Sequence, residues 1–142
     1  GYKDTSSSDA VYMLDWYAYG IGKVPTKVAT TYQNISDAWS LLIDQKWHDR
    51  ITAIKVSDGG LSYVEFFEYR KNKMSIPLFN IYCATGSNRE YYAERTDLIQ
   101  LGQTTQAIYF AKLTNEGEQS ELALTGDEIK ARCSLVNQAW NN

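Results

Sequence analysis

This chain has little of what chemistry usually needs. Its 142 residues include one histidine, His48, two cysteines and two prolines. So few cysteines rule out a disulfide-dense scaffold, and the distance in sequence between Cys83 and Cys133 does not resemble a zinc site. No apolar run approaches the ~20 residues that cross a bilayer as a helix, and no signal-peptide core is present. Charge of one sign is also scarce: a net −3 and a pI near 5.1 give no broad attraction to nucleic-acid phosphates. The densest basic stretch, Arg70-Lys71-Asn72-Lys73, reads as a solvated hairpin loop.

What is abundant is ring-bearing bulk, with eleven Tyr, four Trp and four Phe. An apolar content of 44% against 22% charged residues is that of a folded globular protein. A chain this long supports one core without staples and is too short for two ordinary domains. The start, Gly1-Tyr2-Lys3-Asp4-Thr5-Ser6-Ser7-Ser8-Asp9, is small and polar and begins without Met. Such a stretch is what remains when a tether or leader is trimmed. Residues 1–10 are therefore expected to form a flexible polar tether or remnant, and 11–142 the single domain. A Cys83–Cys133 disulfide would close a long loop, worth ~4 kcal/mol in the chain-entropy model. Both positions carry core periodicity, however, so two buried free thiols are the preferred reading over a disulfide.

The pattern along the chain is mainly that of strands. Val11–Tyr19 is aromatic-rich and bounded by Gly20 and Gly22, which suits a strand, with a short helix as competitor. A second strand is expected over Lys23–Tyr32, entered through Pro25. A turn at Asn34-Ile35-Ser36-Asp37 and a strand over Trp39–Ile43 follow. Ile51–Val56 and Leu61–Tyr69 flank Ser57-Asp58-Gly59-Gly60, the best hairpin signal in the sequence. In the second of these, Tyr63, Glu65, Phe67 and Tyr69 alternate with Val64 and Phe66. Bulk on both faces predicts a central strand covered on both sides. Pro77 is expected to open a strand over Leu78–Ala84. Gly86-Ser87-Asn88 turns the chain, and Arg89–Arg95 is a helical turn or a loose connection. Asp97–Leu101 and Ala107–Leu113 form a further hairpin, and Asn115–Ser120 a charged loop. Thr125-Gly126-Asp127-Glu128 is a capping box opening a helix. Ile129, Cys133, Val136 and Trp140 would then form one apolar stripe, taking that helix from Gly126 to Trp140.

The search for a reacting centre returns weak signals. His48 beside Asp49 lacks a placed nucleophile, and neighbours in sequence rarely face each other, so a turn histidine is the better reading. Gly20-Ile21-Gly22-Lys23 lacks the glycine spacing and the Ser/Thr of a phosphate loop. Glu65 and Glu68 point to opposite faces of a strand, and Asp127 with Glu128 is explained by capping. Asn34-Ile35-Ser36 matches a glycosylation sequon, a common chance match. No catalytic residue, cofactor or metal ligand is assigned. Most aromatics fall inside the strand pattern, where packing accounts for them. Tyr2, Tyr91 and Tyr92 lie outside it, and Tyr91 and Tyr92, with Arg89 beside them, are the candidate contact residues.

Several stretches together resemble a family of uncharacterised envelope lipoproteins of Gram-positive anaerobic bacteria. They are Leu41-Leu42-Ile43, Trp47, Arg50-Ile51, Asp58-Gly59, Val64-Glu65-Phe66, Leu78-Phe79-Asn80-Ile81-Tyr82, Leu101-Gly102, Ala107-Ile108-Tyr109-Phe110 and Glu128-Ile129-Lys130. Cys133 departs from the bulky residue expected at its place. More distantly, a strand pair around a Trp, a meander and a closing helix is similar to the Mog1/PsbP-type α+β fold. The resemblance implies an extracytoplasmic domain, tethered through a lost N-terminal anchor or secreted, that binds partners and does not catalyse. The expectation is a single α+β domain, with an antiparallel sheet of about six or seven strands and the Gly126–Trp140 helix packed on it. Its expected role is a non-enzymatic interaction module for protein or cell-wall polymer, with no nucleic-acid partner. The alternative is a small-molecule or lipid carrier with a pocket between sheet and helix. An enzyme built around His48 and two carboxylates stands third.

Overall fold

The computed structural model describes residues 3–4, 11–18, 26–71 and 73–136, and the surroundings of side chains over 29–71 and 76–136. In chain order the strands begin with β1 (Lys3–Asp4), β2 (Val11–Ala18), β3 (Thr26–Asn34) and β4 (Trp39–Leu42). A 3-10 turn at Gln45–Trp47 leads to β5 (Ile51–Asp58), β6 (Leu61–Arg70) and β7 (Lys73–Ala84). Then come α1 (Glu90–Ala93), β8 (Ile99–Gln103), β9 (Ile108–Leu113), α2 (Asn115–Glu118), α3 (Gly126–Arg132) and β10 (Cys133–Leu135). They form a mostly β α+β domain.

Two sheets result, where the sequence reading anticipated one. The larger has the order β1-β5-β6-β7-β9-β8 and the smaller β10-β4-β3-β2. All pairings are antiparallel except that of the two-residue β1 with β5. The division follows from connectivity. β2, β3 and β4 pair with one another in succession, and the Ile43–Arg50 link then carries the chain to the second sheet. Alternation along a strand reports its faces and says nothing about which sheet it joins.

The hairpins form where turn chemistry demands them. Gly59 has φ 60° in the two-residue loop between β5 and β6, a conformation glycine adopts without strain. Between β3 and β4 the side chain of Asn34 closes the turn, its Oδ1 accepting from the Asp37 amide and the Ser36 hydroxyl, both at 3.1 Å. Asn34 is fully buried and its Nδ2 donates to Asp37 Oδ2 at 3.2 Å, so the sequon nitrogen is closed to modification in the fold. The same turn rivets the sheets together. Tyr109 on β9 donates to the Asp37 carbonyl at 2.6 Å, and Ser62 on β6 to Asp37 Oδ2 at 2.7 Å.

The core lies between the sheets. Tyr32 and Trp39 of the smaller sheet meet Phe66 of the larger, with ring centroids at 5.1 and 6.5 Å, and Phe66 stacks on Phe79 at 4.8 Å. Trp47 packs on Phe79 at 5.6 Å and donates its indole N–H to the Leu122 carbonyl at 2.7 Å. Full burial of each such side chain contributes about 1.5–3 kcal/mol.

Four local expectations need correction. The strand β6 is central in its sheet, but only one face is fully buried and the other is partly covered. Val64, Phe66 and Glu68 are buried, while Tyr63, Glu65, Phe67 and Tyr69 are half-exposed. Pro77 lies inside β7, which begins at Lys73. It sits opposite a register shift at Phe66/Phe67 and outside the stretch of β7 that pairs with β9, so its missing N–H disrupts little. Asn115–Glu118 forms a helical turn instead of a loop, because the Thr114 hydroxyl accepts from the Gly117 amide at 2.8 Å. The Thr125 capping box is present as expected, but α3 stops at Arg132. Cys133–Leu135 pairs with β4, where the open strand edge offers backbone partners that a longer helix would leave unmet. Trp140 and the Gly20–Lys23 stretch lie outside the described residues. Of the expected tether, Lys3 and Asp4 run alongside β5, and the rest likewise lies outside them.

Candidate functional site

On the outer face of the larger sheet, register places aromatic rings side by side across adjacent strands. Tyr63 on β6 is opposite Tyr82 on β7, which is opposite Phe110 on β9. The ring centroids are 4.9 Å apart for Tyr63–Tyr82 and 4.7 Å for Tyr82–Phe110, the latter pair nearly parallel at 7°. Tyr92 of α1 continues the row, stacked on Phe110 at 4.9 Å and 15°. Tyr91 ends it, edge-on to Tyr92 at 5.2 Å and 79°, and is 65% exposed. Cross-strand aromatic pairs of this kind stabilise the sheet. A ring that projects beyond them is left available to a ligand.

The one-turn helix carrying these tyrosines is too short to hold itself, and its neighbours brace it. Arg89 donates from Nη1 to the Gly86 carbonyl at 2.7 Å and from Nη2 to the Thr105 carbonyl at 3.0 Å. Gln100 on β8 donates to the Tyr92 carbonyl at 2.8 Å and to that of Arg95 at 3.3 Å. The entry turn is held at the β5–β6 loop, where the Thr85 amide donates to the Gly60 carbonyl at 2.7 Å. A Cβ on Gly60 would come within 2.7 Å of the Thr85 carbonyl oxygen, so this lacing depends on glycine.

The braced corner encloses two adjoining shallow concavities. One, of about 580 Å³, is lined by Ser87, Asn88, Glu90, Tyr91 and Tyr92. The other, of about 410 Å³, shares Ser87, Asn88 and Tyr92 and reaches Asp58, Leu61 and Arg89. The Arg95 guanidinium lies 5.3 Å from the centroid of the Tyr91 ring. Arg95 also donates from Nε to Asp97 Oδ1 at 2.9 Å, and this bond holds the Asp97 carboxyl below its ordinary range. Glu90 and Asp58 are exposed and have no ion-pair partner among the described residues.

The three candidate contact residues thus divide. Tyr91 faces solvent, Tyr92 is half-buried in the ring row, and both terminal nitrogens of Arg89 donate to carbonyl oxygens. Sequence reasoning missed Asp58 and Glu90 as walls of the same surface. The signal for Asp58 was the Asp-Gly turn itself, but only the pairing of Leu61 with Ala84 brings that turn to the Thr85–Asn88 segment.

Elsewhere the titratable groups are mainly structural. His48 Nε2 lies 3.2 Å from Asp49 Oδ2, so these sequence neighbours do face each other, contrary to expectation. A φ of 58° at Asp49 turns the backbone there, and both side chains are more than half exposed. Glu68, on the inner face of β6, is fully buried. It accepts from the Ser120 hydroxyl at 2.7 Å and pairs with Arg70. Cys83 and Cys133 are free thiols against the main core. Burial pushes Cys83 up to about 11 and Cys133 up to about 12, which makes both poor nucleophiles. Among the described residues no three His, Cys, Asp or Glu side chains gather as a metal-binding group. Below α3 the packing is close: Ile129 is fully buried, and a Cβ on Gly126 would lie 3.0 Å from Ile99 Cδ1. That closeness works against a carrier pocket between sheet and helix. Comparison with protein-family models, curated proteins and solved structures returned no match to this chain.

Proposed function

We propose that this domain is a non-catalytic interaction module of the cell envelope, acting outside the cytoplasm, and that the Gly86–Tyr92 corner is its contact surface for a partner protein or cell-wall polymer. The observation that carries the reading is Tyr91. It is an exposed ring at the end of an otherwise packed aromatic row, on a helical turn braced by Arg89 and Gln100. Large aromatics tied down by their neighbours contribute contact area at little entropic cost, as in many binding surfaces. The envelope setting rests on the resemblance to Gram-positive envelope lipoproteins.

The test is retention of the purified domain on isolated cell-wall material and, separately, on a detergent extract of envelope proteins. Saturable retention that Tyr91→Ala abolishes supports the reading. Retention that Tyr91→Ala leaves intact moves the contact surface elsewhere, and no retention on either material removes the proposal. Tyr92→Ala is unsuitable as the probe, because its ring also packs on Phe110.

A further inference from the structure

The two concavities share a wall and each holds a carboxylate with no ion-pair partner among the described residues, Glu90 beside Tyr91 in one and Asp58 in the other. Of Arg89 and Arg95, only Arg95 is paired with a carboxylate. Arg89 is turned onto the Gly86 and Thr105 carbonyls, and Arg95 is held by Asp97 over one face of Tyr91, outside the lining of the Glu90 concavity. The surface therefore offers ring faces and negative charge together, the pairing that recognises an ammonium or guanidinium group. Arg95 over Tyr91 is an internal instance of that contact within the same corner.

We infer that the corner binds a basic peptide segment of a partner protein, seating one lysine or arginine side chain between Tyr91 and Glu90 and a second towards Asp58. This deepens the proposed function, rests on it, and selects protein over cell-wall polymer as the partner. The Glu90 position carries more of the recognition, because Arg89 lines the Asp58 concavity and its charge opposes a second cation there. Tyr91 contributes its face, so Tyr91→Phe binds as the parent does while Tyr91→Ala binds more weakly. Ser87 and Asn88, on the shared wall, supply polar atoms for the peptide backbone.

The experiment is fluorescence anisotropy of a labelled peptide carrying four lysines, titrated with the full chain at low and at physiological salt. Beside it run the same peptide with every lysine acetylated and a soluble cell-wall glycan fragment. The expected result is saturable binding of the lysine peptide that weakens with salt. Glu90→Gln and Tyr91→Ala should each weaken it about threefold to tenfold, and Asp58→Asn should weaken it less. Urea midpoints of the variants, unchanged from the parent, show that the fold is intact. Equal binding of the acetylated peptide, or binding indifferent to Glu90→Gln, overturns the inference. Tyr91-dependent binding of the glycan alone overturns it while leaving the proposed function standing. Binding of neither probe at this surface overturns the inference, and the absence of retention on either envelope material removes the proposed function as well.

Discussion

On the inner face of the larger sheet Phe66 and Phe79 are fully enclosed, whereas on its outer face Tyr63 and Tyr82 remain half-exposed. The strands are the same, both pairs are aromatic, and their ring centroids lie at similar distances, although the outer rings carry a hydroxyl that the inner ones lack. The difference is what lies above them. The inner rings are met by Tyr32 and Trp39 from a second sheet. Among the described residues the outer row is met at its end, where Tyr92 of the short α1 covers Phe110. Ring stacking alone therefore marks neither core nor binding surface. The opposing layer decides which one a ring becomes.

The sharpest way to break that comparison is to truncate one ring on each face. Phe66→Ala removes a ring in contact with Tyr32, Trp39 and Phe79 and leaves a cavity between two layers that collapse only in part. A loss of about 3–5 kcal/mol in unfolding free energy is expected. Tyr82→Ala, one strand away on the outer face, opens its space to water and should cost about 1–2 kcal/mol. Urea unfolding of both variants checks the pair. Equal losses would mean that the outer row is as much core as the inner one.

A smaller effect comes from pH and is confined to the inner face. Cys83 and Cys133 are acids whose folded values are raised by burial from 9.0 to about 11 and about 12. Burial raises Tyr109, which bonds to Cys83, in the same direction. The neutral thiols suit the core, so this stabilisation is complete below about pH 9 and is lost as pH rises through the folded values. The urea midpoint should therefore fall steadily above pH 9, and less steeply in Cys83→Ala. A midpoint flat to pH 10.5, or the same slope in the variant, would show that these thiols titrate as if in water.

How much of this was legible in the sequence follows from the range of each signal. The hairpins, the Asn34 turn and the Thr125 capping box each depend on residues within a few positions of one another, and all are found where turn and cap chemistry places them. Tyr91 and Tyr92 stood out because they fall outside the strand alternation. Pairing between distant segments left no comparable mark. Cys133–Leu135 carries a stripe that suits a helix, yet its backbone is claimed by β4. Nothing local marks Glu68 as buried, and only the fold brings Ser120 to its carboxylate. Asp58 joins the candidate surface only through the register of β6 on β7.

The finest contrast lies between two adjacent residues, and its effect on stability is the smallest. Tyr92 belongs to the outer row through its stack on Phe110 and its share in the cluster around Leu98 and Ile108, so Tyr92→Ala should cost about 1–2 kcal/mol. Tyr91, more exposed than its neighbour, touches that row only by an edge, and Tyr91→Ala should change stability by no more than about 0.5 kcal/mol. If Tyr91→Ala destabilises as much as Tyr92→Ala, the ring is a structural cap on the row and its exposure is incidental. If it leaves unfolding unchanged while removing retention on envelope material, the boundary between scaffold and contact surface runs between these two tyrosines. Arg95 sharpens the same boundary. It sits against Tyr91 and bonds to Asp97, both at the surface, so Arg95→Ala should leave the urea midpoint where it is and uncover the ring face on which it packs.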